Sequence, residues 1–392
     1  MKTKLTLLLS AFIAINTLSG CKKNSSPPSA PTSSTAPVAQ SQENHPVGGT
    51  TNTTLAEIKY FKGSIGTSLD LQMKLFRTGE QLTGNYSYLK VGTKIDLRGA
   101  VDRDGNVSLQ EFDGSGKQTG LFKGIWKSDA DGLVNIVGNW SKPEGDKAAD
   151  KKTAFSIHEE PIYFSGEVDL QAKSIKESNK KLVYEISAQY PQINNFANPN
   201  FEKFNQVVRG AVTKKVAEFK KEVAPKPDEE PRPENSMGSD LGISYTIALA
   251  QDDLISLTLS VSDYYQGAAH PNSYTEAINY DLKNGKVLKL ADLFKPGAKY
   301  LQTIASYCIA DLKKQSNAKG ADGMLDDSSI NSGAGPSPKN YRNWTITRKG
   351  LGVDFDPYQV GPYAAGPQFV MVPYATLKDL INPDGVIGQF AK

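Results

Sequence analysis

Cysteine and histidine are scarce in this chain, with 2 Cys and 3 His among 392 residues. A disulfide framework needs pairs of the first, and zinc or redox centres need clusters of both, so neither architecture is expected. Charge of one sign is also missing, since 45 Lys and Arg stand against 42 Asp and Glu. No apolar run reaches the ~20 residues that a membrane-spanning helix requires. The motifs that announce a reaction are absent too: there is no G-x-S-x-G elbow, no H-E-x-x-H, no Walker A sequence and no C-x-x-C.

What is present begins with an address. Lys2 and Lys4, the apolar run Leu5 to Ile15 and the small pair Ser19-Gly20 lay out a secretory signal over residues 1–20. Leu18-Ser19-Gly20-Cys21 resembles the bacterial lipobox, which implies diacylation of the Cys21 thiol with palmitate-type chains and cleavage before that residue. Each buried methylene contributes about 0.8 kcal/mol, so several chains hold the protein to a membrane. Lys22 follows the cysteine where an Asp is lacking, and in a Gram-negative cell this points to the outer membrane. Residues 21–54 are Ser, Thr, Pro, Ala, Gln and Asn with almost no large apolar side chain, the composition of a disordered tether. Such a coil spans roughly 30 Å root-mean-square.

The net charge of +3 belongs to those first 54 residues, because Lys2, Lys4, Lys22 and Lys23 are offset only by Glu43. The remainder is balanced, which argues against nucleic acid as a partner. With Cys21 acylated, Cys308 has no partner in the chain. It lies in the stripe Leu301, Ile304, Cys308, Leu312 and is expected as a buried thiol of an amphipathic helix, not as a nucleophile.

Two domains are expected. Residues 55–160 read as an all-β antiparallel meander or small barrel. Leu69, Leu71, Met73 and Leu75 alternate with polar residues, Tyr86 and Tyr88 repeat the pattern, and further short runs end at Trp126 and Trp140, with glycines between. Asp102, Asp104, Asn106 and Ser108 imitate a calcium loop, but Val107 stands where the loop needs Gly and Asp113 where it needs Glu. Asp104-Gly105 is therefore read as a hairpin turn.

Residues 161–392 read as α+β, with helices on an antiparallel sheet. Asn198-Pro199 supplies a helix start, and Phe201, Phe204, Val208, Val212, Val216 and Phe219 give its apolar face. Pro225 to Asp240 is rich in Pro and acids and is expected as an exposed loop. Ile243 to Leu249 and Ile255 to Val261 form strands about Asp252-Asp253, and Asn284-Gly285 marks a hairpin. Ser316 to Asn340 is expected as a loop, followed by short strands at 344–348, 351–355 and 369–372 and a short helix near Leu377.

Several residues carry a resemblance here. They are Tyr190-Pro191 with the following helix, Tyr264-Tyr265, Gly267-Ala268-Ala269-His270-Pro271, Asn279-Tyr280-Asp281, Asn284-Gly285-Lys286, Leu290-Ala291-Asp292-Leu293-Phe294, Phe355-Asp356-Pro357-Tyr358 and Gly361-Pro362-Tyr363-Ala364-Ala365-Gly366. In that order, over roughly residues 161–385, the chain resembles the extracellular module shared by the polysaccharide deacetylase PdaC and the lysozyme-sensing anti-sigma factor RsiV. The resemblance implies a binding module. The deacetylase chemistry of PdaC belongs to a separate domain whose metal is held by Asp and paired His, and here His45, His158 and His270 form no such pair. Neither metal nor cofactor is expected.

Candidate ligand contacts are Tyr264, Tyr265, His270, Asn272 and Tyr274 around one turn, and Tyr358, Pro362 and Tyr363 on a Gly-rich loop. Rigid aromatic and ring side chains suit low-entropy contacts. A lone imidazole makes neither triad nor metal site, and His270 also fits a turn histidine that caps a backbone carbonyl. The expected function is a non-enzymatic, lipid-anchored envelope binding protein, with lysozyme as the first partner implied by the resemblance. The alternative is a peptidoglycan-binding accessory, a deacetylase partner or an unrecognised cell-wall hydrolase using paired acids such as Asp252-Asp253 or Asp326-Asp327.

Overall fold

The computed structural model describes residues 57–146, 150–194, 197–225, 238–318 and 324–391. The signal, Cys21, the tether and most of the expected loop after Pro225 lie outside the described residues. All described residues belong to one compact unit, Thr53–Lys392.

Eight strands follow one another antiparallel and close on themselves: β1 (Glu57–Ile65), β2 (Leu69–Thr78), β3 (Gln81–Tyr88), β4 (Ile95–Val101), β5 (Asn106–Phe112), β6 (Gln118–Ser128), β7 (Val134–Ser141) and β8 (Thr153–Glu160). Alternate positions point inward, so Phe61, Leu71, Met73, Leu75, Tyr86, Leu97, Leu109, Phe122, Ile136 and Phe155 fill the interior. That packing leaves a barrel core and no channel, as expected at this strand number. Glu111 is almost buried among them and accepts hydrogen bonds from Tyr86 Oη (2.8 Å), Thr119 Oγ1 (2.7 Å) and Trp140 Nε1 (2.8 Å).

One turn recurs three times along the barrel. Asp102, Asp113 and Asp129 each accept from the backbone N–H groups two and four residues on, and Gly105, Gly116 and Gly132 follow with φ of +84°, +81° and +79°. The false calcium loop is the first of these: Asp102 caps a hairpin, with Asn106 Nδ2 donating to its second oxygen.

Beyond the barrel lie β9 (Ile162–Tyr163), β10 (Asp169–Asn179), β11 (Tyr184–Asn194), helix α1 (Asn200–Glu222), β12 (Ser239–Gln251), β13 (Leu254–Tyr264), β14 (Asn272–Asp281) and β15 (Lys286–Val287). Asn198 Oδ1 accepts from Asn200 N at the start of α1. The helix lays Phe201, Phe204, Val208, Val212 and Phe219 on one face of the sheet. Each such side chain contributes roughly 1.5–3 kcal/mol when fully buried.

The sheet is mixed and not wholly antiparallel. β12 runs parallel to β11 and to β9, because α1 carries the chain back across the sheet before β12 begins. Strand alternation reports burial but not direction, so this pairing left no mark in the pattern.

The remaining elements are α2 (Tyr300–Ala318), α3 (Asp327–Gly333), β16 (Trp344–Ile346), β17 (Gly350–Phe355), β18 (Gln368–Pro373) and α4 (Tyr374–Leu377). Cys308 is fully buried on α2, where burial pushes its thiol up to about 12. The stretch expected as a loop from Ser316 to Asn340 instead holds the end of α2, all of α3 and the start of a 3₁₀ turn over Pro338–Tyr341. Asp326 is the exposed N-cap of α3, its carboxylate accepting from Ser329 N. Among the described residues no helix is long and apolar enough to cross a membrane.

The barrel leans on the large sheet through outward side chains of β1 and β2. Tyr60 joins the core under α1 and donates to Val168 O, and Lys62 Nζ donates to Tyr245 O while lying 4.0 Å from that ring's centre.

Candidate functional site

The helix covers one face of the large sheet, and the three-stranded sheet β16–β18 covers part of the other. That cover is fixed by Asn279 and Ser256: Ser256 Oγ donates to Asn279 Oδ1, Asn279 Nδ2 donates to Trp344 O, and Ile346 N donates to Ser256 Oγ. The remainder of this face stays open, and strand register arranges it in rows.

Ser187, Gly242, Ser262 and Ser273 stand opposite one another across β11, β12, β13 and β14. Ser244, Ser260 and Thr275 form the next row, and Thr246 and Thr258 the one after. Above the first row, Glu185 pairs with Asp240, and Asp240 with Tyr264. With Asp356, Pro357 and Pro367 along one side, the first two rows line a cleft of about 510 Å³. That volume falls within the range of small-molecule sites. Gly242 keeps the floor low: a Cβ there would meet nothing nearer than Ser262 O at 3.8 Å.

The floor offers hydroxyls without charge, and the acidic pair one row beyond it, Glu185 and Asp240, lines a separate pocket with Lys180. Glu185 and Asp240 are both exposed, and no described residue forms an ion pair with either. Partial burial, then the charges of Glu185 and Asp263, raise the Asp240 carboxyl above its ordinary value. Like charges directly opposite across strands oppose folding.

The rim is built on Asp356. Nearly buried, it accepts from Thr275 N (2.8 Å), Arg342 Nη2 (3.1 Å) and Asn343 Nδ2 (3.0 Å), which ties the β17–β18 connection to β14. Tyr358 then takes φ +71°, unusual for a residue with a side chain, and projects into solvent. His270 stacks on Tyr363 at 4.1 Å between ring centres, and Tyr358 lies 5.4 Å from Tyr363. Tyr363 Oη donates to Pro271 O at 2.7 Å, and His270 Nδ1 sits 2.8 Å from the same oxygen. A carbonyl only accepts, so Nδ1 carries a proton, and Nε2 faces the Tyr358 hydroxyl at 3.4 Å.

The structure thus separates the residues singled out from sequence. His270, Tyr358 and Tyr363 come together on the rim, with Pro362 opening the 3₁₀ turn that carries Tyr363. Tyr264 lies on the open face beside Asp240. Tyr265 and Tyr274 are on the opposite side, packed toward α1: Tyr265 lies 5.4 Å from Phe219, and Tyr274 lies under Lys215. Burial, the first cause, with the charges of Asp263 and Glu222 behind it, pushes the Tyr265 hydroxyl up to about 12. Asn272 donates to Asp263.

The hydroxyl rows were not anticipated. Their only trace in the sequence is the run of Ser and Thr at alternate positions between the apolar residues of β12 and β13. Among the described residues no group of three or more His, Cys, Asp or Glu is placed to hold a metal.

Comparison with known proteins falls on this region. Residues 177–273 match the family profile described as deacetylase PdaC, and residues 291–375 match that of a protein of unknown function, DUF3298. The peptidoglycan-N-acetylmuramic acid deacetylase PdaC of Bacillus subtilis is 25% identical over 204 residues, 52% of this chain and 40% of that protein. The immunogenic protein MPT64 of Mycobacterium tuberculosis is 27% identical over 115 residues, 29% of this chain and 47% of that one. The chain therefore spans less than half the length of these curated relatives. A solved DUF3298 member from Bacteroides fragilis aligns with a TM-score of 0.43 and 20% identity, over 58% of this chain and 98% of that one. The similarity to PdaC falls in the carboxyl-terminal region.

Proposed function

We propose that this chain is a lipid-anchored cell-envelope protein that binds cell-wall glycan in the open cleft, by recognition and without turnover. The observation that carries this reading is the uncovered sheet face: uncharged hydroxyl rows to hydrogen-bond a sugar chain, with Tyr264 at one end and the Pro357–Pro367 connection along the side. Similarity to an enzyme whose name places it on peptidoglycan supports the choice of ligand. The anchor is Cys21, the tether gives reach, and Lys22 directs the protein to the outer membrane of a Gram-negative cell.

Co-sedimentation of the full chain with insoluble peptidoglycan tests the binding. Gly242→Leu should abolish it while leaving thermal unfolding unchanged, because the new side chain enters open space in the cleft. Retained binding in that variant overturns the site. Release of soluble fragments by the wild type, lost on substitution of one carboxylate, overturns the non-enzymatic reading. Metabolic labelling with an alkynyl palmitate analogue, lost in Cys21→Ser, and recovery in the outer-membrane fraction test the anchor.

A second reading, a lysozyme as partner, is favoured by the rim. Stacked His270, Tyr363 and exposed Tyr358 form a rigid aromatic projection of the kind that anchors protein interfaces. Pull-down with a lysozyme, weakened by Tyr358→Ala together with Tyr363→Ala, would support it; no capture at micromolar concentration would remove it.

A further inference from the structure

We infer that Glu160 is a proton-linked latch at the joint between the barrel and the large sheet: protonated it keeps the seam closed, ionised it draws water in and loosens it. The inference is independent of what the cleft binds. Glu160 is the last residue of β8, and the chain runs from it through Pro161 into β9, which pairs with β12. Its carboxyl therefore stands where the chain crosses from one half of the molecule to the other.

The side chain is buried without a protein partner. Glu160 is 6% exposed, and among the described residues no hydrogen bond or ion pair reaches its carboxyl. Buried polar groups are normally satisfied, so one left over at a seam calls for a reason. The neighbouring polar groups are already committed. Tyr60 Oη donates to Val168 O, Gln72 pairs with Leu170 O and Ala172 N, and Lys62 Nζ donates to Tyr245 O. Lys74 pairs with Glu167 and Lys94 with Asp169.

Those pairings cancel the charges around the carboxyl and leave Lys62 as the cation that acts on it. Lys62 makes no ion pair with Glu160, because its ammonium is seated on the Tyr245 ring. Burial raises the Glu160 carboxyl above its ordinary value, with the Lys62 charge pulling the other way. The Tyr245 hydroxyl is pushed up as well, first by burial, and stays neutral. His158 stands opposite Lys62, and burial with that charge pushes its ring below the ordinary value.

Water has a way in. A crevice of about 30 Å³ borders the carboxyl, lined also by Asn85 and Ser87, whose side chains have no protein partner among the described residues, and by exposed Gly92 and Lys94. That volume admits one or two water molecules. An ionised carboxylate needs such hydration, and a protonated one needs far less.

The sign follows from linkage. The folded chain keeps the Glu160 proton where the unfolded chain has lost it, so this contribution is complete at low pH and is lost as pH rises through the raised value. His158, with its lowered value, works in the opposite sense.

The test compares the full chain with Glu160→Gln, an isostere of the protonated form. Urea midpoints should coincide near pH 4, and the variant's should lie higher near pH 8. Asp354 and His158 titrate in both proteins and cancel from the difference. Hydrogen exchange over residues 161–172, corrected for intrinsic rate, should quicken with pH in the wild type and not in the variant. Lys62→Met should move the wild-type onset to higher pH. Carbon NMR of the wild-type glutamate carboxyls, which needs no variant to fold, should show one group titrating above the rest.

Glutamates that all titrate together, or urea profiles that run parallel, overturn the inference. A pH-dependent difference in midpoint with unchanged exchange over residues 161–172 also overturns it, because the proton would then not act on the seam.

Discussion

The side chain of Asn205, on the buried face of α1, pairs with both backbone groups of Ile193 on β11: Oδ1 accepts from Ile193 N at 2.9 Å and Nδ2 donates to Ile193 O at 2.7 Å. An amide from a helix thus completes hydrogen bonds that a neighbouring strand would otherwise make. Gln192 adds a third link by donating to Asn205 O. This fixes the position of α1 on its face of the sheet, opposite the open cleft.

Asn205→Leu should therefore destabilise the protein despite its apolar surroundings. It strands a donor and an acceptor at a fully buried residue, at about 1–3 kcal/mol for each group left unpaired. Chemical denaturation should show a total loss of about 2–6 kcal/mol; a loss below about 1 kcal/mol would mean that water or a shifted strand takes over the pairing.

Inside the barrel, Glu111 holds Tyr86, Thr119 and Trp140 together, and Tyr86→Phe removes a hydrogen bond to a charged acceptor. The expected loss is about 1.5–3 kcal/mol. Gly120→Ala should cost more, since its Cβ would fall 2.5 Å from Trp140 Nε1 and 2.6 Å from Glu111 Oε2. Both are read by denaturation, and the second should also shift tryptophan emission, because it displaces the indole.

Asp354 gives the fold a pH dependence of definite sign. Burial, helped by the charge of Asp356, raises its carboxyl from 3.8 to about 6. The folded protein then holds more protons than the unfolded chain between those values, so this residue's contribution to stability falls as pH climbs from about 4 to about 6. Asp354→Asn should stabilise by about 1–2 kcal/mol at pH 7, after discounting for partial exposure, and by little near pH 4. A gain that does not vary with pH would assign the effect to packing.

Asp356→Ala should loosen the rim without unfolding the core, because it frees Thr275 N, Arg342 and Asn343 together. Hydrogen exchange should quicken over residues 356–367, and binding to peptidoglycan should weaken several-fold. Unchanged exchange would mean that Gln359, which donates to Gly333 O and Asn340 O, is enough to hold the loop.

Much of this architecture was legible because burial imposes a period. Leu71, Met73 and Leu75 announce a strand of the barrel, and Phe201 to Phe219 announce α1. α3 was not legible, because Asp327-Ser-Ser-Ile-Asn-Ser-Gly is poor in helix formers and the turn is held by the Asp326 cap and by burial of Ile330 and Gly333. The rim was partly legible as a cluster of aromatic and ring residues. The cleft floor was not, since a serine at every second position looks like any solvated strand until register sets three of them beside Gly242 in one row.

The seam between barrel and sheet has a consequence for anyone who would divide the molecule. Tyr60 is donated by the first strand to a core formed a hundred residues later, and Lys62 seats its ammonium on Tyr245. A cut near Pro161, where composition invites one, would strip the second half of part of its own interior and leave the first with an aromatic ring facing water. The two halves are best regarded as inseparable in practice: a fragment that fails to bind would report its lost support, not the absence of a site.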